Sequence, residues 1–185
     1  SVTGDPQWYE QAEKFTNDMI DLFADSGGFF SPGSDTADLI ARPKDFTDNP
    51  LPSANSLAAE ALIMRAALSG RHCEHPVEIA TGAGRLLERH PTAVGHLLAV
   101  LLTQEHGIKE VAIVGEDAAR RNLERVAWER FRPDCVIATG PDTSVVPLLR
   151  DRGTAGASAA AHVCHGFVCS LPATTPTSLR EHLQS

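Results

Sequence analysis

The chain has 185 residues, of which 42% are apolar and 22% are charged, a balance typical of a globular protein that buries a sizeable core. The formal net charge is -8 and no run of Lys or Arg forms a basic patch, which argues against nucleic acid or an anionic membrane as a partner. No apolar stretch approaches the roughly 20 residues that span a bilayer. We therefore expect small molecules or other proteins as partners.

The four cysteines are too few for a disulfide scaffold, and the first residues carry no secretion signal. Both features favour a cytoplasmic protein with reduced thiols. The sequence starts almost directly on a helix and without Met. We therefore expect a missing N-terminal part of the same protein, or a partner chain that takes its place.

The first third of the chain contains a helix followed by short extended pieces. Asp5 and Pro6 form an N-cap and N1 pair, and Gly27-Gly28 permits a tight turn after the helix. Residues 29–34 and 39–44 are typical of extended loops. Apolar residues at helical spacing define the first helix: Trp8, Ala12, Phe15, Met19, Leu22 and Phe23.

Three further helices are predicted before residue 106. Ser53 can cap a helix that ends at Gly70, and Pro76 and Pro91 each start another. Helices of this length joined by short loops pack as antiparallel neighbours. We therefore assign residues 1–106 to helical hairpins.

The apolar pattern changes at Gly107. Buried strands are predicted at 111–114, 135–138 and 161–164, and helices at 117–130, 145–150 and 177–183. Alternating strands and helices predict a small three-stranded, largely parallel α/β unit over residues 107–185. The predicted fold class is thus mainly α with an α/β tail.

Several segments resemble the C-terminal part of the thioredoxin-domain-containing family related to spermatogenesis-associated protein 20. They are Gly27-Gly28-Phe29-Phe30, residues 39–44, residues 48–56, Val111-Ala112-Ile113-Val114-Gly115, and Val163-Cys164 with Cys169 before Pro172. The resemblance implies a thioredoxin-like domain, then an (α/α)6 toroid similar to N-acylglucosamine 2-epimerase and six-hairpin glycosidases, then an α/β tail. This chain would carry part of the toroid and the tail. The family usually has Gly where this chain has Ala54.

The stretch from Asp48 to Ser56 groups polar side chains at the start of a helix, where free backbone N–H groups can orient a polar ligand. One interpretation is a sugar-like ligand held by Asp48, Ser53 and Asn55, with Arg42 and Lys44 as nearby cations. In the alternative, Ser53 caps the helix, Asp48 pairs with Arg42 or Lys44, and Asn55 holds the loop.

Two adjacent aromatic residues, Phe29 and Phe30, allow a similar pair of interpretations. They could form a platform for a sugar ring, as is thought for a similar loop in the epimerase-like toroids. Alternatively, one ring fills the core and the other packs on a neighbouring loop, because adjacent residues of an extended piece point to opposite faces.

Cys164 and Cys169 are a candidate thiol pair. Three alternatives stay open: buried reduced thiols, a disulfide that closes a small hairpin, or a metal site completed by His162 or His165. No complete metal-binding or cofactor motif accompanies them, and we predict no cofactor.

Two functions follow. The first is a carbohydrate-related toroid, epimerase-like or glycosidase-like, that binds a sugar or another small polar ligand. The second is a non-catalytic structural or interaction module that supports a thioredoxin-like domain or a partner subunit. The sequence does not assign catalytic residues. Asp25, Asp45 and Asp48 lie on the loop-rich stretch 25–56, but the sequence does not pair them as glycosidic chemistry requires. All eight histidines lie outside this stretch, so no acid or base for epimerisation is identified there.

Overall fold

The computed structural model describes residues 3–36 and 39–184. Short 3-10 helices lie at Pro91–Val94 and Pro147–Leu149. The other elements, in chain order, are α1 (Gln7–Phe23), β1 (Ala24–Asp25), β2 (Gly28–Phe29), α2 (Ala54–Ser69), α3 (His75–Gly82), α4 (Gly84–Arg89), α5 (Gly95–His106), β3 (Lys109–Gly115), α6 (Asp117–Ala127), β4 (Cys135–Gly140), β5 (Ala159–His165), β6 (Val168–Cys169) and α7 (Pro176–Gln184).

The chain folds into two compact units. The helical unit contains residues 11–66 and 72–106, and the α/β unit contains residues up to 10, 67–71 and those from 107 onwards. A largely helical chain with a small sheet agrees with the predicted fold class. The arrangement of the helices as toroid hairpins stays a prediction, as does the boundary between residues 106 and 107.

Local capping signals fix several helix ends. The N–H of Gln7 donates to Asp5 Oδ1 at 3.0 Å at the start of α1. At the start of α2, the N–H of Ser56 donates to Ser53 Oγ at 3.1 Å, so the predicted Ser53 cap is confirmed. Gly70 follows α2 with a φ of 69°, the left-handed conformation that glycine adopts at no steric cost.

The helix predicted from Pro76 is interrupted. α3 ends at Gly82 and α4 begins at Gly84, with Ala83 buried between them. A side chain at Gly82 would collide with the carbonyl of Gly27, so this close approach requires glycine. The two glycines weaken a continuous helix here, which explains the break.

The α/β unit contains a mixed four-stranded sheet in the order β4-β3-β5-β6. β3 and β4 are parallel with α6 between them in sequence, whereas β5 is antiparallel to β3 and β6 is antiparallel to β5. The prediction of three largely parallel strands was therefore wrong. The predicted helix 145–150 is only the short turn Pro147–Leu149, so no full crossover helix precedes β5.

The two faces of this sheet have different neighbours. On one face lies a core that includes residues of α6 and α7, such as Leu123 and Leu179. On β3 the alternate residue Glu110 points to the other face, and the fully buried Leu148 and Leu149 belong to the 3-10 turn that contacts β3 and β4. Among the described residues, no helix has the length and apolarity needed to cross a bilayer.

Candidate functional site

The connector, residues 45–56, contains most of the candidate ligand-binding groups. Ser53 and Ser56 are buried, and their hydroxyl oxygens lie 2.8 Å apart. Because Ser53 also accepts the hydrogen bond from the N–H of Ser56, both hydroxyls are committed to the first turn of α2. They contribute to a helix cap.

Asp48 connects the starts of two helices. Its Oδ1 accepts hydrogen bonds from the N–H of Ser53 and the hydroxyl of Ser56, both at 2.8 Å. Its Oδ2 accepts from the N–H of His96 at 2.8 Å and of Leu97 at 3.4 Å, in the first turn of α5. Burial tends to raise the pKa of Asp48, but these four donors outweigh it and hold the pKa below its usual value.

Asn55 is fully buried and cross-links two backbone segments. Its Oδ1 accepts from the N–H of Phe29 at 2.7 Å, and its Nδ2 donates to the carbonyls of Phe29 at 2.9 Å and Asp45 at 2.8 Å. Gly28 makes this possible, since a Cβ there would lie 2.6 Å from Asn55 Oδ1 and 3.1 Å from the ring of Phe46. The alternative in which Asn55 holds the loop is thus confirmed.

The two phenylalanines have separate environments. Phe29 is 3% exposed and meets the ring of His75 edge-on, with the centroids 5.6 Å apart. Phe30 is half-buried, with the Arg42 guanidinium 4.3 Å and the Lys44 ammonium 4.8 Å from its ring centroid. The rings do not form one platform, because one fills the core and the other stacks with cations.

The cations are themselves committed to other groups. Arg42 donates to the carbonyl of Leu22 at 3.2 Å, and Lys44 forms an ion pair with Asp25 at 3.0 Å. A hydrogen bond from Lys44 lowers the pKa of the exposed Asp25 carboxyl. The predicted pairing of Asp48 with Arg42 or Lys44 is therefore wrong, since Asp48 is occupied by hydroxyl and backbone donors.

Cys164 and Cys169 are joined by a disulfide, with their Cα atoms 3.9 Å apart. This is one of the three alternatives, and it corrects both the expectation of reduced thiols and the metal-ligand interpretation for these sulfurs. His162 instead lies within 2.9 Å of the carbonyl of Gly153 through Nε2. Within residues 3–36 and 39–184, no group of three or more His, Cys, Asp or Glu side chains could hold a metal ion.

The sequence did not reveal a buried polar group on β3. Glu110 is 4% exposed, pairs in register with Cys164, and its Oε2 accepts from the N–H of Phe167 at 2.7 Å. Burial raises the pKa of Glu110, and the hydrogen bond from the N–H of Phe167 offsets only part of that rise. The available signal was an acidic residue directly before the apolar run of residues 111–114, in what became the same strand.

Replacing Glu110 with glutamine is expected to leave the protein as stable as the parent, or more stable by about 1 kcal/mol, at pH 7. The glutamine oxygen still accepts from the N–H of Phe167, while the buried charge is removed. Because the folded state keeps the Glu110 proton to higher pH than the unfolded chain, the parent loses stability as pH rises above 4.5.

Urea unfolding at pH 4 and pH 7 checks this result. Between pH 4 and pH 7, the free energy of unfolding should fall less in Glu110→Gln than in the parent. Glu181→Gln, at an exposed site of the same unit, is the matched control and should follow the parent. Equal pH dependence in parent and Glu110→Gln would contradict the prediction.

The free cysteines should differ in reactivity. Cys73 and Cys135 are both half-buried and unbridged, and burial together with Asp134 raises the pKa of Cys135 to about 11. Since only the thiolate reacts, we expect iodoacetamide to modify Cys135 at least roughly 10-fold more slowly than Cys73 at pH 7.5. Peptide mapping over time measures both rates, and denaturation in urea should equalise them. Equal rates in the folded protein would refute the prediction.

The structure brings the predicted residues together in two places within the helical unit. Asp48, Ser53 and the start of α5 form one hydrogen-bonded group, and Phe30, Arg42 and Lys44 form one stacked group. Asn55 links Phe29 to the connector. The backbone N–H groups of His96 and Leu97, which donate to Asp48, were not predicted from the sequence.

Comparisons with known proteins show a distant relationship. No family model matches the chain. It is 29% identical to human, 28% identical to rat and 27% identical to mouse spermatogenesis-associated protein 20 over 189 aligned positions. The alignments cover 95% of this chain and 24% of each relative, so the chain spans about a quarter of their length. Along nearly its whole length, the chain is homologous to part of spermatogenesis-associated protein 20.

Proposed function

We propose that this chain acts as a non-catalytic structural module within a longer protein. The observation that carries the proposal is the saturation of the connector: the carboxylate of Asp48 accepts from four donors and the amide of Asn55 makes three hydrogen bonds. Groups that would bind a ligand are therefore engaged in holding helices and loops. A sugar would have to displace these bonds at a cost of about 1 kcal/mol or more for each.

Exposed apolar side chains support a role in interaction. Three apolar side chains of the helical unit are largely exposed: Phe15 on α1, Ile40 before the connector and Leu51 within it. Apolar side chains left in water favour contact with another surface. The relatives are about four times as long as this chain, so we propose the remainder of such a longer protein as the part that covers them. In this proposal, the remainder of the longer protein consists of a thioredoxin-like domain and the rest of the toroid.

A carbohydrate-related toroid that binds a sugar is the competing proposal. It is favoured by the half-buried ring of Phe30, which has two cations beside it and can offer apolar surface to a sugar. Because Arg42 and Lys44 lie over the ring, a sugar would need the remaining ring surface or a displaced cation.

A thermal-shift screen with monosaccharides and sugar phosphates separates the two proposals. A sugar that binds the folded state raises the melting temperature. A structural module should bind none of the sugars, so its melting temperature should change by less than about 1 °C across the panel. A dose-dependent increase that Phe30→Ala abolishes and the control Phe15→Ala retains would overturn the structural proposal.

Light scattering tests the interaction role directly. With its covering part absent, the chain should self-associate as its concentration rises, and Ile40→Asp with Leu51→Asp should reduce this association. Thr47→Asp with Asn49→Asp, at two polar residues of the connector, adds the same two negative charges and is the charge-matched control. A parent chain that stays monomeric at high concentration would count against exposed surfaces made for a partner.

A further inference from the structure

The hairpin formed by β5 and β6 has a strained turn. His165 pairs with Val168, which leaves Gly166 and Phe167 as the two turn residues. Their φ values are 56° and 66°, as a type I′ turn requires. Phenylalanine rarely adopts a positive φ, so the turn is held in this conformation by the surrounding contacts.

Three contacts hold the turn. The disulfide joins the strands directly before and after it, at Cys164 and Cys169. The N–H of Phe167 donates to the buried Glu110 carboxyl at 2.7 Å. The ring of Phe167 lies against Gly70, where an added Cβ would be 3.0 Å from the ring. Removing one of these contacts leaves the strained turn with less support.

The disulfide restricts the unfolded chain little, so the stabilisation it provides is local to the hairpin and its turn. It closes a loop with a sequence separation of only five, whereas a disulfide stabilises more when its loop is long. Cys164 and Cys169 are paired across the hairpin. The hydrogen bond next to them runs from the N–H of Ser170 to the carbonyl of Val163, so the two cysteines form a non-hydrogen-bonded pair. In antiparallel strands, the Cα atoms of non-hydrogen-bonded pairs are the closest, even without a covalent bond.

The two sulfur-bearing residues differ in access. Cys164 is 1% exposed in the middle of β5, whereas Cys169 is half-buried on β6, which ends the sheet. The neighbours of Cys169, Val168 and Ser170, are exposed. A thiol from solution therefore reaches the Sγ of Cys169 first. A disulfide with one sulfur open to attack from solution can exchange with dissolved thiols.

We propose that Cys164 and Cys169 form a reversible dithiol–disulfide redox site that exchanges with low-molecular-weight thiols at the Sγ of Cys169, and that its redox state sets the order of the β5–β6 hairpin. The inference is independent of the structural role proposed above.

The exchange proceeds in two balanced steps. A thiolate attacks the Sγ of Cys169, the bond between the cysteine sulfurs breaks, and its electron pair leaves on Cys164, which takes a proton from water. A second thiolate then attacks the sulfur of the first thiol in the mixed disulfide, and Cys169 leaves and is protonated. The two cysteines gain two electrons and two protons, and two thiols become one disulfide.

Equilibration of the whole chain with reduced and oxidised glutathione tests the redox site. The chain is brought to equilibrium from both directions, quenched with acid, alkylated and weighed by mass spectrometry. We expect half-reduction within the series of ratios, with the same midpoint in the control Cys73→Ser. A bridge that stays oxidised in excess reduced glutathione and opens only with dithiothreitol would overturn the proposal. So would a pair that stays reduced in excess oxidised glutathione.

Single-cysteine variants test the point of attack. In Cys164→Ser the accessible Cys169 should form a mixed disulfide with oxidised glutathione. In Cys169→Ser the buried Cys164 should do so at least about 10-fold more slowly. Equal rates, or the reverse order, would overturn the assignment of attack to Cys169.

Amide hydrogen exchange tests the conformational part. Reduction of the parent should speed exchange of the Phe167 amide at least about 10-fold, because the hydrogen bond to Glu110 then opens more often. The amide of Ile113 in the central strand β3 should be unaffected. An unchanged Phe167 amide after complete reduction would show that the redox state does not control the hairpin.

Discussion

Replacing Asp48 with alanine is expected to lower the free energy of unfolding by about 3 kcal/mol at pH 7. The carboxylate caps the first turn of α2 through Ser53 and Ser56, and the first turn of α5 through His96 and Leu97. Alanine removes both caps and leaves backbone N–H groups without an acceptor. Urea unfolding followed by circular dichroism measures the loss.

Asparagine at position 48 separates shape from charge. It keeps one acceptor oxygen, so its loss at pH 7 should be roughly half that of alanine. Because hydrogen bonds hold the pKa of Asp48 below 3.8, its carboxylate contributes stability above that pH and loses it as pH falls. The difference between parent and Asp48→Asn should therefore shrink below about pH 4.

Asp45→Ala is the matched control in the same connector. Asp45 is exposed, and its carboxylate accepts a local hydrogen bond from the N–H of Thr47 at 3.0 Å. Its loss should stay within about 1 kcal/mol. If Asp48→Ala and Asp45→Ala lower the free energy of unfolding equally, the capping of two helices by Asp48 does not contribute to stability as expected.

Local signals were enough to predict helix ends but not the partners of Asp48. The Ser53 cap and the Gly70 stop depend on residues within one turn, and both were identified. The bond from His96 to Asp48 joins residues 48 positions apart. Sequence patterns carry no information on such a contact, and they favour Arg42 and Lys44 as partners because these cations are near Asp48 in the sequence.

Apolar runs located the three main strands but not the direction of β5. An apolar run such as Ala161–Cys164 is compatible with either direction once both faces are buried. The direction depends on what connects the strands, and the segment before β5 forms only the short turn Pro147–Leu149. β6, with two residues, is too short to show a period.

The disulfide was predicted only as one alternative because composition and geometry gave different answers. The small number of cysteines favoured reduced thiols. The decisive feature is the two-residue turn at Gly166 and Phe167, which places Cys164 opposite Cys169. That turn could be anticipated from Gly166, but a phenylalanine at a positive φ is not a usual turn signal.

Replacing Asn55 with alanine is expected to cost about 3 kcal/mol of unfolding free energy. The change leaves the N–H and carbonyl of Phe29 and the carbonyl of Asp45 without their partner in a buried site. The amide of Phe29 should also exchange with solvent faster than in the parent. Asn49→Ala, at an exposed site of the connector with one long hydrogen bond, is the control and should cost less than about 0.5 kcal/mol.

Aspartate at position 55 tests whether the donor or the acceptor of Asn55 matters more. It can still accept from the N–H of Phe29, but at pH 7 its carboxylate would face the carbonyl oxygens of Phe29 and Asp45 in a buried site. We expect Asn55→Asp to be at least as destabilising as Asn55→Ala at pH 7. Since burial raises the pKa of such a carboxyl, protonation at lower pH restores a donor and should reduce the loss. A loss that is the same at pH 4 and pH 7 would mean that the two carbonyls do not need the amide donor, and that the connector is held chiefly by Asp48.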